Sequence, residues 1–413
     1  MIFYRKLSLI ERTYIVNEPT NNYPFAVQMI CEGVGNLSRT AWITAFDQVL
    51  KVNPIISVQR VGRLKFSALF SVRPDYDHVI QEHGLVQWNA MNGDNADFLE
   101  VPMDVSKAQG FQILLIQGTH DQPNARFIIF RIHHALSDVG GLMIIMRNFF
   151  AALNNQSLLA ENSLIKDEDV LFQHKVSMPF YRKNAGSVAG SSAIGSSLKW
   201  RWVRKKVDGK FDQLLILVLN AIQKANPLLG MAEANLRFRV TFDLRKYLPK
   251  DTVSTCNLTN AFDIDVPVSA SLHDLKLSIM AAFRARLPLQ RIPKWLCFIA
   301  GFIPENWLAI KEPTMLKTHL SGKYYRTGTI SVLSKEIDLK MLSGGGFECH
   351  SLFGIPGPYR ILSCFIGVMQ MPDHIELMIG MPELLTANHR LEKFTDAIAT
   401  VLGAGEEGGS KLR

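Results

Sequence analysis

The sequence predicts an α/β fold in two subdomains, and three observations carry that prediction. Segments with period-2 apolar patterning alternate with segments of helical period in both halves of the chain. At 413 residues the chain exceeds what one ordinary core encloses. A stretch reading NAGSVAGSSAIGSS, Asn184 to Ser197, has the composition of a flexible linker. The expected division is a first subdomain at 1–183, a linker at 184–198 and a second subdomain at 199–413.

Each element has a local reason. In NLSRTAWITAFDQVLKVNP the apolar residues Ala41, Trp42, Ala45, Phe46, Val49 and Leu50 keep the i, i+3, i+4 spacing of a helix. Ser38 is its N-cap and Asn53-Pro54 its stop. IISVQRVG after it reads as a strand. FQILLIQGTH (111–120) and ARFIIFRIHH (125–134) read as two strands joined by the turn residues DQPN, a hairpin or meander. LMIIMRNFFAALN then reads as a largely buried helix. Past the linker, FDQLLILVLNAIQKANP is a helix closed by Pro227. LRFRVTFD is a strand in which Phe238, Val240 and Phe242 alternate with polar residues, and NLTNAFDIDVP is another. SASLHDLKLSIMAAFRARL is a helix. The last third holds TGTISVLSKEIDL, two strands around Pro372-Asp373, and a final helix, RLEKFTDAIATVLG.

Composition narrows the function classes. Hydrophobic residues at 47% and charged residues at 20% describe a globular chain. The net charge of +8 suits an anionic partner. No long Lys/Arg block or nucleic-acid module is present, so nucleic acid is not expected. The five cysteines, Cys31, Cys256, Cys297, Cys349 and Cys364, are widely spaced with no C-x-x-C pair, as in a reduced cytoplasmic chain. MIFYRKLSLIERTY carries charges where a secretion signal would be apolar. No apolar run reaches the ~18–20 residues of a membrane span. The nearest, WLCFIAGFIPENWLAI (295–310), is broken by Pro304, Glu305 and Asn306. It is expected to form a buried segment or a greasy tunnel wall, with Phe298 and Phe302 as candidates for that wall. The alternative for it is a peripheral membrane contact.

The candidate site is RIHHALSDVGG, Arg131 to Gly141. A neutral imidazole can take a proton from a hydroxyl, amine or thiol as it attacks a carbonyl, because its pKa lies near working pH. Adjacent histidines on an extended strand face opposite ways, so only one of His133 and His134 can serve a given substrate. Asp138, at the far end of a short turn, could bind a buried arginine and hold the turn. Gly140 and Gly141 let the backbone turn tightly and let a substrate approach. No third ligand stands at metal spacing, so no metal is expected.

His133-His134-Ala135-Leu136-Ser137-Asp138 resembles the HHxxxDG signature of the chloramphenicol acetyltransferase-like superfamily. That superfamily includes condensation domains, BAHD acyltransferases, wax ester synthases and polyketide-associated acyltransferases. Weaker echoes are LSLIERTY near the start, DLRKYLP at 243–249 and SVLSKEIDL at 331–339. Val139 stands where the family has its glycine. GGGFECHSLFGIP (344–356) replaces the DFGWG of the BAHD enzymes, which favours a stand-alone bacterial or fungal acyltransferase or a condensation-like enzyme.

The resemblance implies two similar α/β subdomains facing each other across a central tunnel, with the motif at its middle. It implies acyl transfer from a thioester donor, coenzyme A or a carrier protein's phosphopantetheine arm, to a hydroxyl or amine acceptor, in natural-product or lipid biosynthesis. His134 becomes the general base and His133 a structural residue. Asp138 pairs with an arginine of the second subdomain, for which Arg245 is the candidate. Ser331 or Ser334 would supply a donor to the oxyanion. No cofactor is permanently bound, an acyl carrier protein is a candidate partner, and the expected state is a cytoplasmic monomer. The other readings are a condensation-type, amide-forming enzyme on carrier-bound substrates and a non-catalytic docking relative.

Overall fold

The computed structural model describes residues 3–21, 23–188, 193–228 and 235–409. Its first sheet has five strands, in the order Phe347–Gly354, Ala26–Gly35, Arg126–His133, Phe111–Thr119 and Ile80–Val86. Only the last pair is parallel. The expected hairpin is present, with Phe111 opposite Ile132. Its two strands are buried on both faces, which is why FIIF reads as a continuous apolar run. The helices Arg39–Val52 and Val139–Leu153 cover this sheet. Trp42 and Phe46 of one helix stack among Phe111, Phe130, Phe149 and Phe150. Each such fully buried aromatic contributes roughly 1.5–3 kcal/mol.

The second sheet has six strands, in the order Thr259–Val266, Leu236–Asp243, Gly328–Leu333, Cys364–Gln370, His374–Pro382 and Trp200–Asp208. Phe238, Val240, Phe262 and Ile264 face the helices Leu214–Leu228, Leu272–Arg284 and Arg390–Gly409. The alternate positions, Arg239, Thr241, Thr259, Ala261 and Thr329, face the first subdomain.

Two features depart from a division at the linker. Residues 189–192 lie outside the described residues, and what flanks them is packed: Ala185 exchanges backbone hydrogen bonds of 2.9 Å with Tyr324, and Val188 and Leu198 are buried. The strand Phe347–Gly354, within the range assigned to the second subdomain, pairs antiparallel with Ala26–Gly35 at the edge of the first sheet. Bounds of 1–183 and 199–413 therefore do not separate the two sheets. Gly33 and Gly35 admit the crossing strand. A Cβ on Gly33 would meet the Glu348 carbonyl at 1.9 Å, and one on Gly35 the Gly346 carbonyl at 2.0 Å.

A buried ion cluster fastens that crossing. Arg204 donates to both Glu376 oxygens at 2.7 and 2.8 Å, pairs with Glu32 of the first sheet at 2.7 Å, and lies 3.7 Å from the Phe353 ring centroid. Burial would raise the Glu376 carboxyl, but hydrogen bonds from Arg204 and His374 outweigh it and hold the group down at about 2. Its contribution is therefore complete above the ordinary value of 4.5 and is lost only as pH falls toward about 2. Arg204→Ala leaves Glu376 buried without its counter-charge and should cost roughly 3–5 kcal/mol at neutral pH. The measurement is denaturant unfolding of the variant beside the wild type, and a cost below about 1 kcal/mol would show that the cluster does not hold the crossing.

Candidate active site

The motif strand ends at His133 because its pairing partners end there, with Ala26 opposite. The His134 N–H instead donates to the Phe25 carbonyl at 2.8 Å. The two rings part company at this point. The Ala135 N–H donates to His133 Nδ1 at 3.0 Å, which places the ring proton on Nε2, 2.8 Å from the Glu18 carboxylate. Glu18 also accepts from the Phe25 and Met103 N–H groups. Both His133 and Glu18 are buried, and this pair packs the turn against the helix Leu9–Asn21.

His134 turns toward the second subdomain. Asn257 Nδ2 donates to its carbonyl oxygen at 2.8 Å and lies 3.2 Å from its Nδ1. The Tyr14 ring sits 4.6 Å from the imidazole, centroid to centroid. Burial pushes the His134 pKa below its ordinary 6.5, against the opposing pull of its own carbonyl and of Asp138. The ring is therefore a neutral imidazole at pH 7, with its Nδ1 edge held by protein groups.

Asp138 begins the motif helix as its N-cap, with Oδ1 accepting from the Gly141 N–H at 2.8 Å. Oδ2 accepts from Arg245 Nη1 at 3.0 Å, the Leu258 N–H at 2.7 Å and Thr259 Oγ1 at 3.0 Å. Arg245 spends its remaining donors on the Ser254 and Cys256 carbonyls and on Asp243. Burial alone would raise the Asp138 carboxyl; the charge and hydrogen bond of Arg245, with the two backbone donors, outweigh it and hold the group below its usual 3.8. The two glycines are helical and do not shape the turn. A Cβ on Gly140 would meet Arg245 Nη1 at 2.7 Å, and one on Gly141 the Thr255 carbonyl at 2.3 Å. They are required by the close approach of the second subdomain.

A cavity of about 640 Å³ lies between the subdomains. Leu9, Ile10, Leu171, Phe172, Ile292 and Ile310 give it an apolar wall, and Arg239, Arg326 and Arg360 stand in its polar part. Asp263 takes both its bonds from Arg326, at 2.7 and 2.8 Å, and is 3.7 Å from Arg239. The Nε atoms of Arg239 and Arg360 are buried without a hydrogen-bond partner. Asp167 also lines the cavity. Its Oδ1 is unpartnered, and burial with Glu11 and Glu168 nearby pushes its carboxyl up to about 7. His134 is not among the lining residues. Tyr14 and Phe25 are, and the Tyr14 hydroxyl is hydrogen-bonded to that of Tyr359 from the second subdomain. The Tyr14 side chain thus stands between the imidazole and the cavity.

The structure brings together His133, His134, Asp138, Arg245, Gly140 and Gly141. Four other candidates do not line the cavity. Phe298 and Phe302 are 63% and 46% exposed, stack on each other 5.2 Å apart and do not line the cavity. The side chains of their segment that do line it are Ile292, Cys297 and Ile310, so the tunnel-wall assignment of the two phenylalanines is corrected. Ser334 is exposed beyond the end of the strand Gly328–Leu333, and Ser331 is half-buried on it; neither lines the cavity. Glu18, Asn257, Tyr359 and Asp167 were not found by sequence reasoning. Tyr14 was present only as the last residue of the LSLIERTY echo.

Removing either partner of the Asp138–Arg245 pair strands a buried charge. Asp138→Asn and Arg245→Ala should each destabilise by roughly 3–5 kcal/mol, and the double variant should cost clearly less than their sum. Additive costs in denaturant unfolding would show the two groups to be uncoupled.

No protein-family model matches the chain, and no curated protein matches it in sequence. Solved structures do. The condensation domain from Monacolin K polyketide synthase MokA is similar over 98% of each chain, with 9% identity and a TM-score of 0.64. A variant of the starter condensation domain of rhizomide synthetase RzmA, in complex with C8-CoA, is similar over 97% of this chain and 95% of its own, with 12% identity and a TM-score of 0.62. The epimerization domain from the third module of tyrocidine synthetase B is similar over 99% and 97%, with 12% identity and a TM-score of 0.59. Together with the two sheets and the cavity between them, these likenesses show the fold: two chloramphenicol acetyltransferase-like subdomains arranged as in condensation domains.

Proposed function

We propose that the protein is an acyltransferase, which moves an acyl group from a thioester donor to a hydroxyl or amine acceptor with His134 as general base. The observation that carries this reading is a neutral, half-buried imidazole, held along its Nδ1 edge at the junction of the subdomains and one aromatic side chain from a large cavity. In the tautomer whose Nδ1–H is directed at the residue's own carbonyl oxygen, Nε2 is unprotonated and takes the proton of the acceptor as its oxygen or nitrogen attacks the thioester carbonyl. The C–S bond then breaks, and the departing thiolate takes that proton from the imidazolium. Ser331 is kept as the candidate donor to the oxyanion: it does not itself line the cavity, but it lies two residues along the strand from Thr329, which does, and so on the same face of the sheet. Tyr14 must swing aside for the substrates to reach the ring.

A likeness of fold supports coenzyme A or a carrier-bound thioester as donor, since the RzmA domain is seen with C8-CoA. Such donors place the protein in the cytoplasm. The apolar wall favours a medium or long acyl chain. The unpartnered Nε atoms of Arg239 and Arg360 favour a substrate that brings anionic or carbonyl oxygen to the cavity's polar part. Ester or amide formation, including condensation on carrier-bound substrates, uses the same proton transfer. A non-catalytic docking role is the second reading, and the closed position of Tyr14 over His134 is the observation in its favour.

Thiol release from a series of acyl thioesters, with hydroxyl and amine acceptors, tests the proposal. His134→Ala should slow turnover by roughly 100-fold or more, and a near-normal rate would remove the general-base assignment. The pH profile is a separate check. Protonated His134 cannot accept a proton, and its pKa is depressed, so kcat/KM should stay high down to below pH 6.5 and fall only under that value. An acid limb at or above 6.5 would assign the limb to another group.

A further inference from the structure

Residues 294–310 form two short helices, Lys294–Ala300 and Glu305–Leu308, that present apolar side chains to the outside. Trp295 is 65% exposed, Trp307 76% and neighbouring Phe66 67%, and Phe298, Ile299 and Phe302 are exposed beside them. Phe66, Phe298 and Phe302 form one patch, Trp295 and Ile299 share the helix of Phe298, and Trp307 stands on the next helix. Lys65 Nζ lies 5.2, 5.0 and 3.9 Å from the ring centroids of Phe66, Phe298 and Phe302, and its backbone N–H donates to the Gly301 carbonyl at 2.8 Å. The base of the patch is fastened by the Arg60–Glu305 ion pair. Contiguous exposed apolar surface of this kind marks an interaction site.

We propose that this patch is a membrane-docking surface, which seats the mouth of the cavity on an anionic lipid bilayer. Charge and continuity identify the occupant. In residues 291–317 three cations are exposed, Lys294, Lys311 and Lys317, against one exposed carboxylate, Glu312, and Arg63 and Lys65 precede Phe66. Aromatic side chains projecting from short helices, ringed by cations, are the composition that inserts at the headgroup boundary of an anionic leaflet, and Trp is the residue that favours that depth. The same segment lines the cavity with Ile292 and Cys297, and with Ile310, which is itself exposed. A bilayer at the patch therefore lies one layer of side chains from an apolar wall that an acyl chain can enter. The docking stands on the patch alone; the delivery of an acyl chain rests on the acyltransferase reading.

Flotation of the full chain with vesicles of phosphatidylcholine, with and without phosphatidylserine, tests the proposal. Wild type should float with the phosphatidylserine vesicles, bind phosphatidylcholine alone at least several-fold more weakly, and show a blue shift of tryptophan emission on binding. The triple variant Trp295→Ser, Phe298→Ser, Trp307→Ser should keep the wild-type circular dichroism and lose roughly tenfold or more of its partitioning. Lys65→Glu should weaken binding to the anionic vesicles. The proposal is overturned if wild type floats with neither vesicle, if the triple variant floats as wild type does, or if the patch instead binds an acidic carrier protein and no lipid. Thiol release from a soluble short-chain thioester is measured in parallel. Lipid binding without turnover in wild type would leave the docking in place and count against the acyltransferase reading only.

Discussion

The carboxylate of Asp138 is the point on which the site depends. A buried ion costs several kcal/mol unless it is paired and its oxygens are satisfied. Here the helix it caps supplies one donor, through Gly141, and the second subdomain supplies the rest, through Arg245, Leu258 and Thr259. Satisfying one charge thus fixes the relative position of two parts of the chain more than a hundred residues apart. The loop so captured carries Asn257, which holds the His134 edge, and Thr255, whose carbonyl accepts from Ser137 at 2.6 Å. The His134 ring is thus positioned by a carboxylate to which it makes no hydrogen bond.

Three links of different strength join the subdomains around the cavity. The Asp138–Arg245 pair is a buried ion pair that holds roughly 3–5 kcal/mol against loss of a partner, and Arg204 of the second sheet is paired with Glu32 of the first. The hydrogen bond between the Tyr14 and Tyr359 hydroxyls involves no charge and contributes about 1 kcal/mol. It is the weakest of the three, and it is the one that covers His134. The frame can therefore stay fixed while Tyr14 moves. Its ring would give up a stack on an imidazole, a contact that an entering substrate can replace.

Much of the fold could be read locally, because its central strands and helices announce themselves by period. The motif helix begins where Asp138 can cap it, and Ser38 caps its neighbour as expected. The elements that escaped are those whose reason lies far away. Phe347–Gly354 follows a run of three glycines and has a register shift between Cys349 and Ser351, so its alternation is broken. Its partner strand is some three hundred residues earlier. WRWVRKKVD is a strand whose polar positions are long cations, one of which, Arg204, is buried by carboxylates that no local pattern reveals. Glu18 sits beside a proline in an ordinary helix and becomes the partner of His133 only in the folded chain. The Asp138–Arg245 pair was legible because a resemblance supplied the long-range contact that periodicity cannot.

The segment around Phe298 shows what an apolar sequence leaves open. Burial in a core and insertion in a bilayer select the same side chains, so WLCFIAGFIP fits both, and only the direction of each residue separates them. The direction is divided. Cys297 faces the cavity and its neighbour Phe298 faces out, with Ile292 and Ile310 lining the cavity at the two ends. A helix of this length cannot bury both faces unless something covers the second one. The helix Leu9–Asn21 meets the segment on the side where Arg12 reaches the Gly301 carbonyl, and it carries Ile10 into the same cavity and Tyr14 onto His134. One helix therefore touches both the base of the exposed patch and the lid over the imidazole.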